Sequence, residues 1–239
     1  MGLTLTIPQA APVLTEHQTA TIQMEGAKQR WGNCTRCDLC KAGRRQVIFG
    51  GGNPNAPIMV IGGAINMTED KNGMTMFGSG GALLFQVLAK LGLHPMRDVY
   101  ATNIVKCLPP LDKTTPEYKR LDPTEDQLTK CRPILDAQIE IIKPAIIVLH
   151  GRQANQALLM DPRPLSKYLG HFRSFNEQCV ALSTHNPAGI IKGERASLQV
   201  EFFRHWDEVA EKLNMIGRMW RPDAQIFKDN WAYKGTPAL

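Results

Sequence analysis

The stretch Ile58 to Gly81, IMVIGGAINMTEDKNGMTMFGSGG, decides the fold. Its first four residues, Ile58, Met59, Val60 and Ile61, are uniformly apolar, which predicts a strand covered on both faces. Gly62 and Gly63 end that run, and a polar loop holding Asn66, Thr68, Glu69 and Asp70 follows. Gly78, Gly80 and Gly81 then lead into an apolar-periodic segment, Leu83, Leu84, Val87, Leu88 and Leu91, which predicts a helix. Open α/β proteins bind ligands beyond the carboxyl ends of their strands, in just such a strand, glycine turn, polar loop and helix. A tight turn accounts for two of the glycines but not for so long a polar connection. The segment is therefore a candidate functional site.

The flanking chain repeats the alternation. Val99 to Val105 predicts a second strand, which runs into Lys106-Cys107-Leu108-Pro109-Pro110. Ala145 to Leu149 and Cys179 to Thr184 predict two more, the last ending in His185-Asn186-Pro187. Between them, helices are expected over about 124–142, 152–159 and 197–213; Thr124 caps the first, with Glu125 and Asp126 in its opening turn. Strands alternating with helices specify an α/β fold, a parallel sheet with helices on both faces. A short strand is also expected at Gln46 to Phe49. Residues 1–28 are rich in Thr, Ala, Gln and Pro and predict a flexible arm, with a short helix around Glu16 to Ala27. Residues 29–213 form the domain, and 214–239 a loosely held tail.

Of the 239 residues, 28 are Lys or Arg and 22 Asp or Glu, a net charge of +6 that suits a phosphate backbone without requiring one. No run of 18 apolar residues and no basic-then-apolar leader occurs, so a membrane-spanning or secreted protein is not expected and a cytoplasmic one is. Six cysteines in such a chain point to metal or catalysis before disulfides. Cys34, Cys37 and Cys40 form C-x2-C-x2-C, followed by the basic Lys41, Arg44 and Arg45; Cys107 and Cys131 stand far along the chain. Two close thiolates plus two distant ones suit zinc or an iron–sulfur cluster, and spacing alone leaves both open, with Cys40 a rival third ligand. Cys179, inside an apolar strand, reads as core.

Several motifs taken together resemble the family 4 uracil-DNA glycosylases, the iron–sulfur kind. They are NCTRCDLC, VIFGGGNPNAPIMVIGG, EDKNG, TNIVKCLPP and the lone KC at 130–131, and the resemblance covers about residues 33–213. It implies a three-layer α/β/α domain with a central four-stranded parallel sheet. It implies a structural [4Fe–4S] cluster held by Cys34, Cys37, Cys107 and Cys131, and gives Cys40 no ligand role. Asn103 matches the asparagine that reads the Watson–Crick edge of a flipped uracil; an amide can face both N3–H and O4. His185 matches the histidine set against uracil O2 as the glycosidic bond breaks. The loop after it enters DNA from the minor groove, which makes Ile190 and Ile191 wedges and puts Lys192 and Arg195 on phosphates. A monomer of prokaryotic or viral origin, acting on single- or double-stranded DNA, is the expected context.

The departures fall in the opening stretch. Where the family reads Gly-Glu-Ala/Gly-Pro-Gly, this chain reads Gly62-Gly63-Ala64-Ile65-Asn66, so the acid that positions or activates water is Gly63. Met76 replaces the phenylalanine that stacks on uracil, with Phe77 beside it, and His185-Asn186-Pro187-Ala188 carries one extra residue. Gly62, Gly63, Met76 and Phe77 are thus expected around the base, and water activation shifts to Asn66, Asp70 or Glu69, or lapses. Two further readings follow from the altered motif: a non-hydrolysing binder of damaged or modified bases, or an enzyme acting on hypermodified bases.

Overall fold

A computed structural model describes residues 15–114, 120–161, 163–193 and 195–220, the side chains as far as 217. Strand β1 (Gly51–Gly52) precedes β2 (Ile58–Ala64), and the short helix α2 (Met67–Asn72) separates β2 from α3 (Ser79–Lys90). Helix α1 (Glu16–Trp31) precedes them all; β3 (Val99–Val105), α4 (Glu125–Ile142), β4 (Ile146–His150) and α5 (Gly151–Leu159) follow. The chain closes with β5 (Phe172–Ser174), β6 (Val180–Thr184), α6 (Pro187–Lys192) and α7 (Ala196–Trp220).

Among the described residues the sheet has six strands in the order β1-β3-β2-β4-β6-β5. Its four central strands are parallel, as expected, and the two short outer strands are antiparallel additions. The additions left little to read in the sequence. β1 is only two glycines, and Gly52 needs its positive φ of 120° because a Cβ there would strike Val99 O. The strand expected at Gln46 to Phe49 does not form; that segment meets the end of β3 by a hydrogen bond from Ile48 N to Lys106 O (2.8 Å), and pairing starts at Gly51.

Burial on both faces explains the apolar run of β2. Met59 and Ile61 face Ile104, Ile134, Leu135 and Ala154 in one core, on the α1, α4 and α5 side. Ile58 and Val60 face Leu84, Val87, Phe202 and Trp206 in the other, under α3 and α7. The short helix expected around Glu16 to Ala27 forms and runs on to Trp31, packed on the domain rather than part of a flexible arm. A Thr15–Gln18 capping box starts α1, which buries Ala20 and Met24 and packs against α4. The expected tail is corrected likewise, since α7 runs on to Trp220 and Ile216 packs on the second core. The rest of both termini lies outside the described residues. Among the described residues, no helix is long and apolar enough to cross a membrane.

One packing feature sets an acid limit. His150, at the end of β4, is 3% exposed between the rings of Phe202 and Trp206 (centroids 5.6 and 6.2 Å), and neither ring nitrogen has a hydrogen-bond partner among the described residues. Burial pushes it from 6.5 down to about 3. The unfolded chain therefore binds a proton near pH 6.5 that the folded chain refuses until about pH 3. The linked stability is full above 6.5 and falls as pH drops, by about 1.4 kcal/mol per pH unit. Urea unfolding at pH 7 and pH 5 is expected to show a loss of roughly 2 kcal/mol from this group. An equal loss in His150→Leu contradicts the assignment.

Candidate active site

The carboxyl ends of the four parallel strands share one edge of the sheet, and the candidate residues gather there. Gly62 of β2 is in register with Asn103 of β3. A Cβ on Gly62 would land on Asn103 Oδ1 and come within 3.3 Å of Met76 Cε, so the glycine makes room for the amide. Asn103 is 3% exposed and donates from Nδ2 to Thr75 Oγ1 at 3.1 Å, which sets the amide's orientation. Its carbonyl oxygen is left as an acceptor and one N–H as a donor.

The polar loop expected after Gly63 is instead the helix α2. Asn66 caps it, accepting from Glu69 N (2.9 Å), while Glu69 Oε2 accepts from Asn66 N (2.9 Å). Glu69 Oε1 reaches on to Met76 N at 2.6 Å, and burial raises this carboxyl above its usual range. Both oxygens of Asp70, 1% exposed, accept from Arg45 N (3.0 and 3.1 Å). The expectation that Asp70 activates water is therefore corrected: it is a buried tie between α2 and the segment after the cysteine run. Asn66 likewise commits its carbonyl oxygen to the helix cap. Met76, held at a φ of 53° by the Glu69 bond, is 8% exposed beneath Asn103, whereas Phe77 is 38% exposed at the rim.

His185 follows β6 and is held by a residue the sequence did not single out. Its Nε2 lies 2.7 Å from Glu201 Oε2 on α7, and the Glu201 carboxyl is lowered first by that hydrogen bond. His205, one turn further on α7, stacks on His185 (6.0 Å), meets Thr184 Oγ1 at 2.9 Å and lies 3.8 Å from Glu201. Burial pushes His205 down to about 4. Glu201 and His205 at i,i+4 between the buried Phe202 and Trp206 were the available signal. The extra residue, Asn186, caps α6 by accepting from Ala188 N (3.1 Å), and Pro187 takes the first helical position. α6 wedges between helix starts, since Cβ atoms on Gly80 of α3 and Gly151 of α5 would crowd Ala188 and Asn186. Ile190 is 2% exposed in the core, so its expected wedge role is corrected; Ile191, Lys192 and Arg195 are exposed.

Cys34, Cys37, Cys107 and Cys131 share the edge of one core and feel one another electrostatically: Cys37 senses Cys34, Cys107 senses Cys131 and Cys37, and Cys131 senses Cys34 and Cys37. Burial raises the thiols of Cys37, Cys131 and Cys107, the last to about 11. Positive donors surround them. Arg44 Nη1 donates to Cys107 Sγ (2.8 Å) and Nη2 to Cys34 O, and Lys106 N reaches Cys131 Sγ (3.4 Å). The Lys106 ammonium, fully buried, donates to Thr102 Oγ1 (2.6 Å), Gln138 Oε1 (2.7 Å) and Asn103 O. Cys179 stands apart in β6's approach, its thiol pushed up to about 12 by burial. Among the described residues, no three His, Cys, Asp or Glu side chains converge on a single ion.

The uracil DNA glycosylase superfamily model matches residues 49–213. A type-4 uracil-DNA glycosylase of Sulfurisphaera tokodaii is 41% identical over 135 residues, 56% of this chain and 56% of that protein. The type-4 uracil-DNA glycosylase of Archaeoglobus fulgidus is 30% identical over 186 residues, covering 75% of this chain and 87% of that protein. That of Saccharolobus solfataricus is 33% identical over 165 residues, covering 66% and 72%. With the superfamily model matching most of the chain and the Archaeoglobus fulgidus protein aligned over 87% of its length, this chain belongs to the uracil DNA glycosylase superfamily, on its type-4 branch.

Proposed function

We propose that this protein is a DNA glycosylase that flips a uracil-like or modified pyrimidine out of DNA and hydrolyses its N-glycosidic bond. The observation that carries it is the Gly62–Asn103 pair, an amide buried at a strand end beside a glycine that leaves it room. Asn103 Oδ1 accepts the base's N3–H and its unpaired N–H donates to O4, the pattern of uracil rather than cytosine. His185, its ring braced by Glu201, stands where negative charge develops on O2 as the bond breaks. Met76 and Phe77 floor and rim the base site. Ile191 enters the stack, and Lys192 and Arg195 hold phosphates.

Cys34, Cys37, Cys107 and Cys131 would hold a [4Fe–4S] cluster. All four are thiols, they adjoin one another, and Arg44 and Lys106 supply charge to offset thiolates. There the cluster would tie together the three chain segments that carry these cysteines, a structural role apart from the bond cleavage. A second reading, a base binder without turnover, is favoured by one observation, the missing acid at Gly63.

The test is an excision assay on a single-stranded oligonucleotide carrying one uracil, then other modified pyrimidines, read as alkali-cleaved product on a gel. Product from any of these supports the proposal; tight binding with no product from all of them favours the binder. In the same binding series, Lys192→Ala with Arg195→Ala is expected to weaken affinity for every sequence and reduce the salt slope by about 2. An unchanged slope moves the DNA contact elsewhere.

A further inference from the structure

Resting on that glycosylase reading, we infer that Gln153, oriented by Asp122, occupies the place a side chain at position 63 would take and from there positions the attacking water at the end of β2. Gln153 lies in the first turn of α5, directly after β4, and its side chain crosses to the end of β2. A Cβ built on Gly63 falls on Gln153 Oε1 and lies 3.3 Å from its Cδ. The carboxamide thus fills the place where a side chain at position 63 would stand. Its orientation is set from behind: Nε2 donates to Asp122 Oδ1, and the neighbouring Arg152 Nη2 donates to Asp122 Oδ2 at 2.7 Å. With the nitrogen end clamped on a carboxylate, the end that faces Gly63 is the acceptor.

Other acceptors near this edge are committed. Glu69 and Asp70 accept from backbone N–H groups, and Asn66 Oδ1 caps α2. With Asn103 Oδ1 assigned to the base, Gln153 Oε1, one residue along β2 from the Gly62–Asn103 pair, has no hydrogen-bond donor among the described residues and is placed to accept from a water. A glutamine carboxamide orients attacking water in GTP-hydrolysing enzymes in the same way, without taking the proton. Here the C1′–N bond breaks and its electron pair leaves with the base, beside His185. The water oxygen bonds to C1′, its proton passes to solvent, and the base anion regains one from solvent. Gln153 holds the oxygen in line and stays neutral throughout. Glutamate at position 63 alone has to push Gln153 aside, so Gly63→Glu on its own is not expected to restore a fast enzyme.

The experiment compares single-turnover uracil excision, and affinity for a non-cleavable 2′-fluoro-uracil oligonucleotide, across four proteins. Gln153→Ala is expected to lose about 10²-fold in rate with affinity within about twofold of wild type, since the interaction acts on the water and not on the base. Asp122→Ala, at an exposed position that leaves the core intact, is expected to lose about tenfold. Gly63→Glu with Gln153→Ala is expected to recover rate over Gln153→Ala, because the vacated space then admits the carboxylate. That recovery is a coupling which a merely structural Gln153 does not produce. A Gln153→Ala protein as fast as wild type overturns this inference alone, as does a loss of affinity that matches the loss of rate. A wild type that excises neither uracil nor the modified pyrimidines overturns the glycosylase reading and this inference with it.

Discussion

Serine in place of Cys107 or Cys131 is expected to give colourless protein that has lost its iron and unfolds far more readily than wild type. Anaerobically purified wild type should be brown and carry about four irons per chain. The two positions are 4% and 7% exposed; Arg44 Nη1 donates to Cys107 Sγ and the Lys106 backbone N–H reaches Cys131 Sγ. Removing the cluster leaves the Arg44 guanidinium without its thiolate partner, and breaking a buried charge pair costs about 3–5 kcal/mol. Metal binding is also folding free energy when three chain segments meet only at the metal. Iron analysis and thermal melts check both halves. Cys179→Ala, which stays within an apolar strand end, should keep its iron. Stoichiometric zinc in the wild type, or no metal, overturns the ligand assignment.

Two substitutions at the strand ends are expected to have the next largest effects. His185→Ala removes the donor nearest the developing anion and is expected to cost about 10²–10³ in single-turnover excision, roughly 3–4 kcal/mol. Asn103→Ala removes base reading and leaves Thr75 without its amide donor, so its loss is expected to appear in affinity as well as rate. Melting temperatures should move little in the first case, because His185 sits at the site edge and meets α7 through the Glu201 bond and the His205 ring alone among the described residues. The split between rate and affinity is the readout. Excision by His185→Ala within a few-fold of wild type removes the histidine from the mechanism.

Much of this architecture is legible in the amino-acid sequence. The unbroken Ile58 to Ile61 run carries β2, its burial on both faces and hence the parallel sheet. The proposed ligands Cys107 and Cys131 are picked out by a motif rather than by spacing. What escapes is of two kinds. Six residues of α2 are too few to show a period, although Asn66 followed by Glu69 is a capping box that signals a helix start. Ile190 and Ile191 are neighbours that a helix turns to different sides, and one turn of α6 is too short a pattern to say which side is core. The second kind is contact across long separations. Gln153 meets Gly63 from the far side of β4, and Glu201 braces His185 from another helix; neither pairing leaves a periodic trace.

The ladder around Lys106 has a consequence for redesign. Asn103 and Cys107 lie four residues apart on one extended segment, about 13 Å of chain. Between them Lys106 binds the carbonyl of Asn103 and the side chains of Thr102 and Gln138, and its own amide reaches Cys131. β3 therefore has two masters, and a substitution made to suit a different base is also expected to be felt at Cys107 and Cys131. The exit of β2 is under no such double claim. There the Gln153 carboxamide meets the backbone of Gly63 and the Met76 tip approaches Gly62, so an engineer seeking another pyrimidine should start at these side chains and leave 102–107 untouched.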